Sequence, residues 1–227
     1  MLDYVIPTPP VTAVNVVGGG LFPVRRVYCI GRNYAAHAIE MGHDPDREAP
    51  FFFQKNPDNL DTSGTFTYPS HTKDVHHEAE LAVVLKAGGR NIPVAQALDL
   101  VYGYALSLDM TRRDLQAEMK KAGRPWEIGK AFEGSAPISA IHKVADVGHL
   151  DQGAITLTVN NDVRQTGDLN QLIWKTPEMI SYLSEYFELA AGDVILTGTP
   201  SGVGPVGQGD VMEIEIEGLG SMVVRVI

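Results

Sequence analysis

The sequence predicts an α+β protein, mainly β, with mixed or antiparallel sheets. Short apolar or alternating runs bounded by Gly, Pro and Asn recur along most of its length. Only three stretches carry helical patterning with recognisable ends. The two kinds of segment do not alternate in a βαβ rhythm, which argues against a doubly wound sheet.

Taken in order, residues 1–20 are Pro-rich and end in Gly18-Gly19-Gly20, which suits an N-terminal arm or a strand with a turn. Residues 21–227 are expected to form one domain. A short strand at Val27–Ile30 meets GRNYAAHAIEMG, a helical stretch stopped by Gly42, and the polar, proline-broken HDPDREAP that follows reads as a mobile loop. FFFQKNPDNL is an apolar run closed by turn residues. DVHHEAELAVVL and YGYALSLD read as two strands, after which Thr111-x-x-Asp114 forms a capping box for a helix through Lys121, ended by Gly123 and Pro125. ITLTVNNDVRQ predicts a hairpin turning at Asn160-Asn161. Thr176-Pro177 opens a helix over PEMISYLSEYFEL, with threonine as the cap and proline at the first helical position. DVILTGTP reads as a buried strand ending in a glycine-rich turn, and VMEIEIEGLGSMVVRVI as a closing hairpin across Gly218–Gly220.

Composition narrows the function. With 227 residues and ample apolar content the chain supports a sizeable core. The formal net charge of −10 argues against a general electrostatic affinity for nucleic acid or anionic lipid, so an anionic substrate needs a metal or a few placed cations. A lone cysteine, Cys29, fits a reducing compartment. The N-terminus lacks the basic-then-apolar order of a signal peptide, and no apolar run reaches membrane-spanning length. A soluble cytoplasmic protein is expected.

The most informative pattern is Glu78 and Glu80 inside an apolar strand. Alternation puts His76, Glu78, Glu80 and Ala82 on one face and His77, Ala79, Leu81 and Val83 on the other. Two like charges on one buried face are costly unless they take up protons or share a cation. Asp109, at the end of the next strand, offers a third carboxylate. Three carboxylates without a thiolate suit a hard divalent ion, Mg²⁺ first and Mn²⁺ or Ca²⁺ as alternatives, and leave positions for water and substrate. His76, on the glutamate face, is the better candidate to support them.

Other motifs are weaker. Gly202, Gly204 and Gly207 spell GxGxxG, but a proline sits inside it and no helix follows, so a dinucleotide site is not expected. His37 and Glu40 share a helix face, an arrangement that orients a general base, although on spacing alone a surface pair on an exposed helix is the favoured reading. Lys55 and Lys130 sit in apolar segments where lysines usually keep their tips in solvent. Phe51–Phe53 and Trp126 read as core.

Taken together, CIGRNYAAHAIEMG, FFFQKNPDNL, HHEAELAVV, LDMTRRDLQ, WEIGKAF and LTGTPSGVGPV resemble the fumarylacetoacetate hydrolase family, most of all its acylpyruvate hydrolase branch and, within that, the fumarylpyruvate hydrolases. The resemblance runs from about Val27 to the C-terminus and implies a mixed β-roll with few peripheral helices, usually a homodimer. It assigns Glu78, Glu80 and Asp109 as metal ligands, His37 and Glu40 as a water-activating dyad on a lid helix, and Lys130 as an active-site lysine. It places Gln116 near the metal and Arg32, Lys55 and Thr199 against substrate oxygens. The implied reaction is metal-dependent hydrolysis of a 2,4-diketo acid, fumarylpyruvate to fumarate and pyruvate in gentisate-type aromatic degradation. Oxaloacetate decarboxylation, isomerisation or decarboxylation of a hydroxymuconate-type diacid, and a non-catalytic metal-binding module remain as alternatives.

Overall fold

The structure, a computed structural model, describes residues 4–35 and 49–227. The expected helix over His37 and Glu40 and most of the expected loop from His43 to Pro50 lie outside the described residues.

A six-stranded mixed sheet forms the frame, in the order His142–Lys143, Val101–Leu108, Ala79–Leu85, Asp193–Leu196, Arg26–Gly31, Phe51–Lys55. All its neighbours are antiparallel except Asp193–Leu196 with Arg26–Gly31. A five-stranded sheet runs Asp162–Asp168, Ala154–Val159, Val211–Ile216, Gly220–Val226, Thr65–Phe66. Three short strands, Thr111–Arg112, Val75–His77 and Gly204–Val206, make a third sheet. This is the mixed, mainly β architecture the patterning predicts, and among the described residues no helix is long and apolar enough to cross a membrane.

Both faces of the six-stranded sheet are covered, which is why AELAVVL is a continuous apolar run apart from its glutamate. Leu81, Val83 and Leu85 join Tyr104, Leu106 and Leu108 against the inner face of the five-stranded sheet, including Leu157, Ile214 and Val224. Ala82, Val84 and Ala105 face the other way, onto Cys29, Leu196 and the N-terminal segment. There Ala13–Asn15 pairs with Leu21–Pro23, and Val14, Val16, Phe22 and Val24 pack into the same cluster. On the two central strands this second face carries Ala82 and Ala105, and it continues to Glu80 near the start of one strand and Asp109 just past the end of the other.

Three local expectations need correcting. Glu78 is not inside a strand: it is the single residue between Val75–His77 and Ala79–Leu85, which belong to different sheets. The helix Arg113–Ala122 is not capped by Thr111. The Thr111 hydroxyl donates to the Asp109 carbonyl at 3.0 Å and accepts from Lys130 at 2.7 Å, so it is unavailable to the helix. Gly123 does end that helix in the left-handed region, with φ 62°. In the helix Thr176–Tyr186 the cap is Lys175, whose backbone N–H is held by Glu178, so Thr176 is already helical. The hairpin turn holds, with Asn160 and Asn161 at φ 53° and 70°.

The GxGxxG stretch is a turn followed by the strand Gly204–Val206, which pairs with Val75–His77. Gly202 alone demands glycine: its φ is +94°, and a Cβ there would stand 2.0 Å from the Arg164 carbonyl oxygen. Gly202→Ala is therefore expected to cost about 2 kcal/mol or more, read as a fall in Tm of roughly 4 °C or more. Gly207→Ala, whose Cβ would meet nothing nearer than Asp210 at 3.9 Å, is the control and should be nearly neutral. Equal Tm values for the two variants would contradict this account of the turn.

Candidate active site

The carboxylates meet where the sheets end. Glu80 pairs across the strands with Ser107, so Glu80 and Asp109 emerge from adjacent strands on the face lined by Ala82 and Ala105. Glu78, the single residue between the two strands, brings its carboxylate to the same place. Ligand oxygens of Glu78, Glu80 and Asp109 all lie within 4.8 Å of one another, and all three residues are buried.

Three cations are interleaved with them. Lys130 arrives on the short helix Glu127–Lys130 and donates to Glu78 Oε2 at 2.9 Å, Asp109 Oδ2 at 2.6 Å and Thr111 Oγ1 at 2.7 Å. Lys55, at the end of its strand, pairs with Asp109 Oδ1 at 2.9 Å and donates to Ser135 Oγ at 3.0 Å and to the Lys130 carbonyl. Arg113 pairs with Glu78 Oε1 and donates to Gln116 Oε1 at 2.6 Å. Neither lysine keeps its tip in solvent: both are 2% exposed. Burial alone would pull the Lys130 ammonium down, but Asp109 and Glu78 more than offset it, so its pKa stands above the ordinary value and the charge is kept.

Glu80 is the exception. Among the described residues no cation pairs with it, and its Oε2 accepts only from the Gly198 backbone N–H, at 2.8 Å. Burial, then Asp109 and Glu78, hold its carboxyl well above the usual carboxylate range. A divalent cation among the three carboxylates supplies the charge that Glu80 lacks, so the donor set fits such an ion. Loading the ion is then expected to release protons from Glu80, with affinity falling as pH is lowered. Titration calorimetry in buffers of different ionisation heat checks this; identical apparent enthalpies would contradict it.

One cleft collects most of the residues singled out in the sequence. Arg32, Gln116, Lys130 and Thr199 line it together with the three carboxylates, while Lys55 lies beneath, bonded to Asp109. His37 and Glu40 lie outside the described residues. His76 is half-buried, bonded to Asp74 at 2.8 Å, and approaches Arg113 at 3.4 Å, so its link to Glu78 runs through that arginine. Phe51, Phe53 and Trp126 are not closed core but a cleft wall, with the Phe51 and Trp126 rings edge to face at 5.5 Å and the Arg32 guanidinium 5.0 Å from the Phe51 ring centre.

Two site residues escaped the sequence reading. Arg113 follows Asp109 in LDMTRRD, and the doubled arginine beside an acidic cluster was the available signal. Gln165, 1% exposed, bonds both Thr199 and the segment around Glu78, and a glutamine on an alternating strand gives little warning of this.

Residues 26–227 match the family model described as "Fumarylacetoacetate (FAA) hydrolase C-terminal". The fold is similar to the crystal structure of fumarylpyruvate hydrolase from Pseudomonas aeruginosa in complex with Mn²⁺ and pyruvate, with a TM-score of 0.97, 49% identity and 99% of both chains covered. The sequence is 41% identical over 202 residues to the mitochondrial oxaloacetate tautomerase FAHD1 of Homo sapiens, covering 89% of this chain and 91% of that one. It is 40% identical over 198 residues to the oxaloacetate tautomerase YcgM of Escherichia coli, covering 87% and 90%. With a buried acidic triad suited to a divalent ion and a family match across nearly its whole length, this chain belongs to the fumarylacetoacetate hydrolase family.

Proposed function

We propose that this protein hydrolyses the C3–C4 bond of a 2,4-diketo acid, fumarylpyruvate above others, giving fumarate and pyruvate. The observation that carries the reading is the cleft of Glu78, Glu80, Asp109 and Lys130 in a chain 49% identical, end to end, to a fumarylpyruvate hydrolase seen with Mn²⁺ and pyruvate. The proposal includes Mg²⁺ as the working ion, a role in gentisate-type aromatic degradation, and a cytoplasmic homodimer.

The three carboxylates would hold the ion, which when bound would supply Lewis-acid stabilisation of negative charge at the keto-acid end of the substrate. Lys130, kept charged by Asp109 and Glu78, would supply the ammonium that stabilises an oxyanion developing at C4. His37, oriented by Glu40, takes a proton from water as its oxygen attacks C4. The C3–C4 electron pair then departs to C3, and the resulting pyruvate enolate takes a proton at C3. Gln116 and Arg113, bonded to each other at 2.6 Å, fix the wall beside Glu78, and Arg32 on the face of Phe51 offers a cation to the distal carboxylate.

A second reading is carried by the oxaloacetate tautomerases at 40–41% identity. Enolisation of oxaloacetate moves a proton between C3 and the C2 oxygen, and decarboxylation expels CO₂ from C4. Both use the same keto-acid end, and neither needs an attacking water. His37→Ala discriminates hydrolysis from decarboxylation: it is expected to slow fumarylpyruvate hydrolysis by about 10² or more while affecting oxaloacetate decarboxylation far less. Unchanged hydrolysis in that variant removes the dyad from the mechanism.

Purified protein with fumarylpyruvate, acetylpyruvate and oxaloacetate, each with Mg²⁺ and with chelator, tests the proposal. Fast, metal-dependent release of fumarate and pyruvate is expected. Activity confined to oxaloacetate would replace the first reading with the second.

A further inference from the structure

The structure assigns to Gln165 the role of a positioning residue that turns the Thr199 hydroxyl into a hydrogen-bond donor facing the cleft. Gln165 lies on the strand Asp162–Asp168, in the five-stranded sheet, yet its side chain reaches the end of the six-stranded one. Its amide orientation is fixed at both ends by backbone. The Ala79 N–H donates to Oε1 at 3.0 Å, and Nε2 donates to the Pro200 carbonyl at 2.8 Å. The remaining Nε2 hydrogen therefore goes to Thr199 Oγ1, 2.8 Å away. With His77 Nδ1 at 3.1 Å from Oε1, the amide has four partners.

The consequence falls on Thr199. Its oxygen is the acceptor in the bond from Gln165, which is its only hydrogen-bond partner among the described residues. Its own proton is thus left to donate elsewhere. Thr199 is 2% exposed and lines the cleft beside Glu80, Asp109 and Lys130, so a ligand oxygen there is the natural acceptor. The same amide holds the backbone of Ala79 and the ring of His77, the residues on either side of Glu78. One buried glutamine from a separate sheet thereby ties the acidic segment to Thr199 and Pro200. The arrangement selects an oxygen acceptor, a carboxylate or keto group, and rests on the proposed function only in taking a keto acid as ligand.

The test is pyruvate binding to the Mn²⁺-loaded protein, read by titration calorimetry, for Thr199→Val, Gln165→Met and the double variant; Gln165→Leu serves if the methionine variant does not fold. Each single substitution is expected to weaken pyruvate about tenfold or more, the scale of a lost hydrogen bond to a charged group. The double variant is expected to be no weaker than Thr199→Val alone, with Mn²⁺ affinity within about threefold of wild type throughout. Wild-type pyruvate affinity in the Gln165 variant would overturn the assignment, as would losses that multiply in the double variant. Because binding is read rather than turnover, failure of fumarylpyruvate hydrolysis leaves this test standing, and the two readings fail separately.

Discussion

Glu80→Ala is expected to abolish both divalent-cation binding and turnover while the protein stays folded. The reason is the unequal treatment of the three carboxylates. Glu78 and Asp109 are each paired with cations, whereas Glu80 is buried with one backbone N–H and two like-charged neighbours. Its charge opposes folding unless an ion is present, so removing it relieves repulsion at the cost of a small cavity and one hydrogen bond. The ion loses the ligand that most needs it. Thermal unfolding without metal should place the variant within a few degrees of wild type, and Mn²⁺ titration should show no saturable binding in the micromolar range. Turnover at the wild-type rate would remove the metal assignment.

Lys130→Met has the opposite signature. Its ammonium is shared by Glu78, Asp109 and Thr111, and its loss leaves two buried carboxylates short of a partner. Breaking a buried ion pair from one side costs about 3–5 kcal/mol, so the metal-free variant should unfold well below wild type. Turnover should fall by about 10² or more, since the proposed mechanism uses this ammonium to stabilise the developing oxyanion. Added Mn²⁺ is expected to recover part of the stability, because the ion takes over the neutralisation of Glu78 and Asp109, but not the rate. Denaturant titration with and without Mn²⁺ checks the first point. A stable, fully active variant would show that Lys130 is a packing residue.

The acidic triad was legible because strand alternation is a strong constraint. Glu78 and Glu80 were placed on one face by parity alone, and their carboxylates do converge although a single residue, Glu78 itself, separates the two strands. Asp109 was legible from its place at the end of an apolar run, just before a helix start. The His76 and His77 assignment shows the limit of parity: His76 does face Arg113 and through it Glu78, but His77 is the fully buried ring, tied to Gln165. Which of two adjacent histidines matters depends on what comes across from another sheet.

Gln165 was hidden by a bulge. The pairing of Ala154–Val159 with Asp162–Asp168 shifts register between Leu157 and Thr158, so Leu157 opposes Gln165 while Thr158 opposes Val163. Arg164 is the extra residue, and it reverses the alternation. Val163 is left 66% exposed and Gln165 is turned inward. An unbroken strand would have put both on one face. The Thr111 cap failed for a related reason, since a hydroxyl at a helix start is a cap only when nothing stronger claims it, and here Lys130 does. The lysines were misjudged on propensity for the same cause: the carboxylates that make their burial favourable are distant in sequence.

The most direct test of C–C bond hydrolysis is turnover of fumarylpyruvate in H₂¹⁸O with Mg²⁺, followed by mass analysis of both products. The account predicts one ¹⁸O in the carboxylate of fumarate formed at C4, and none in the pyruvate carboxylate. Intact substrate, with neither fumarate released nor ¹⁸O gained in a carboxylate, would contradict it.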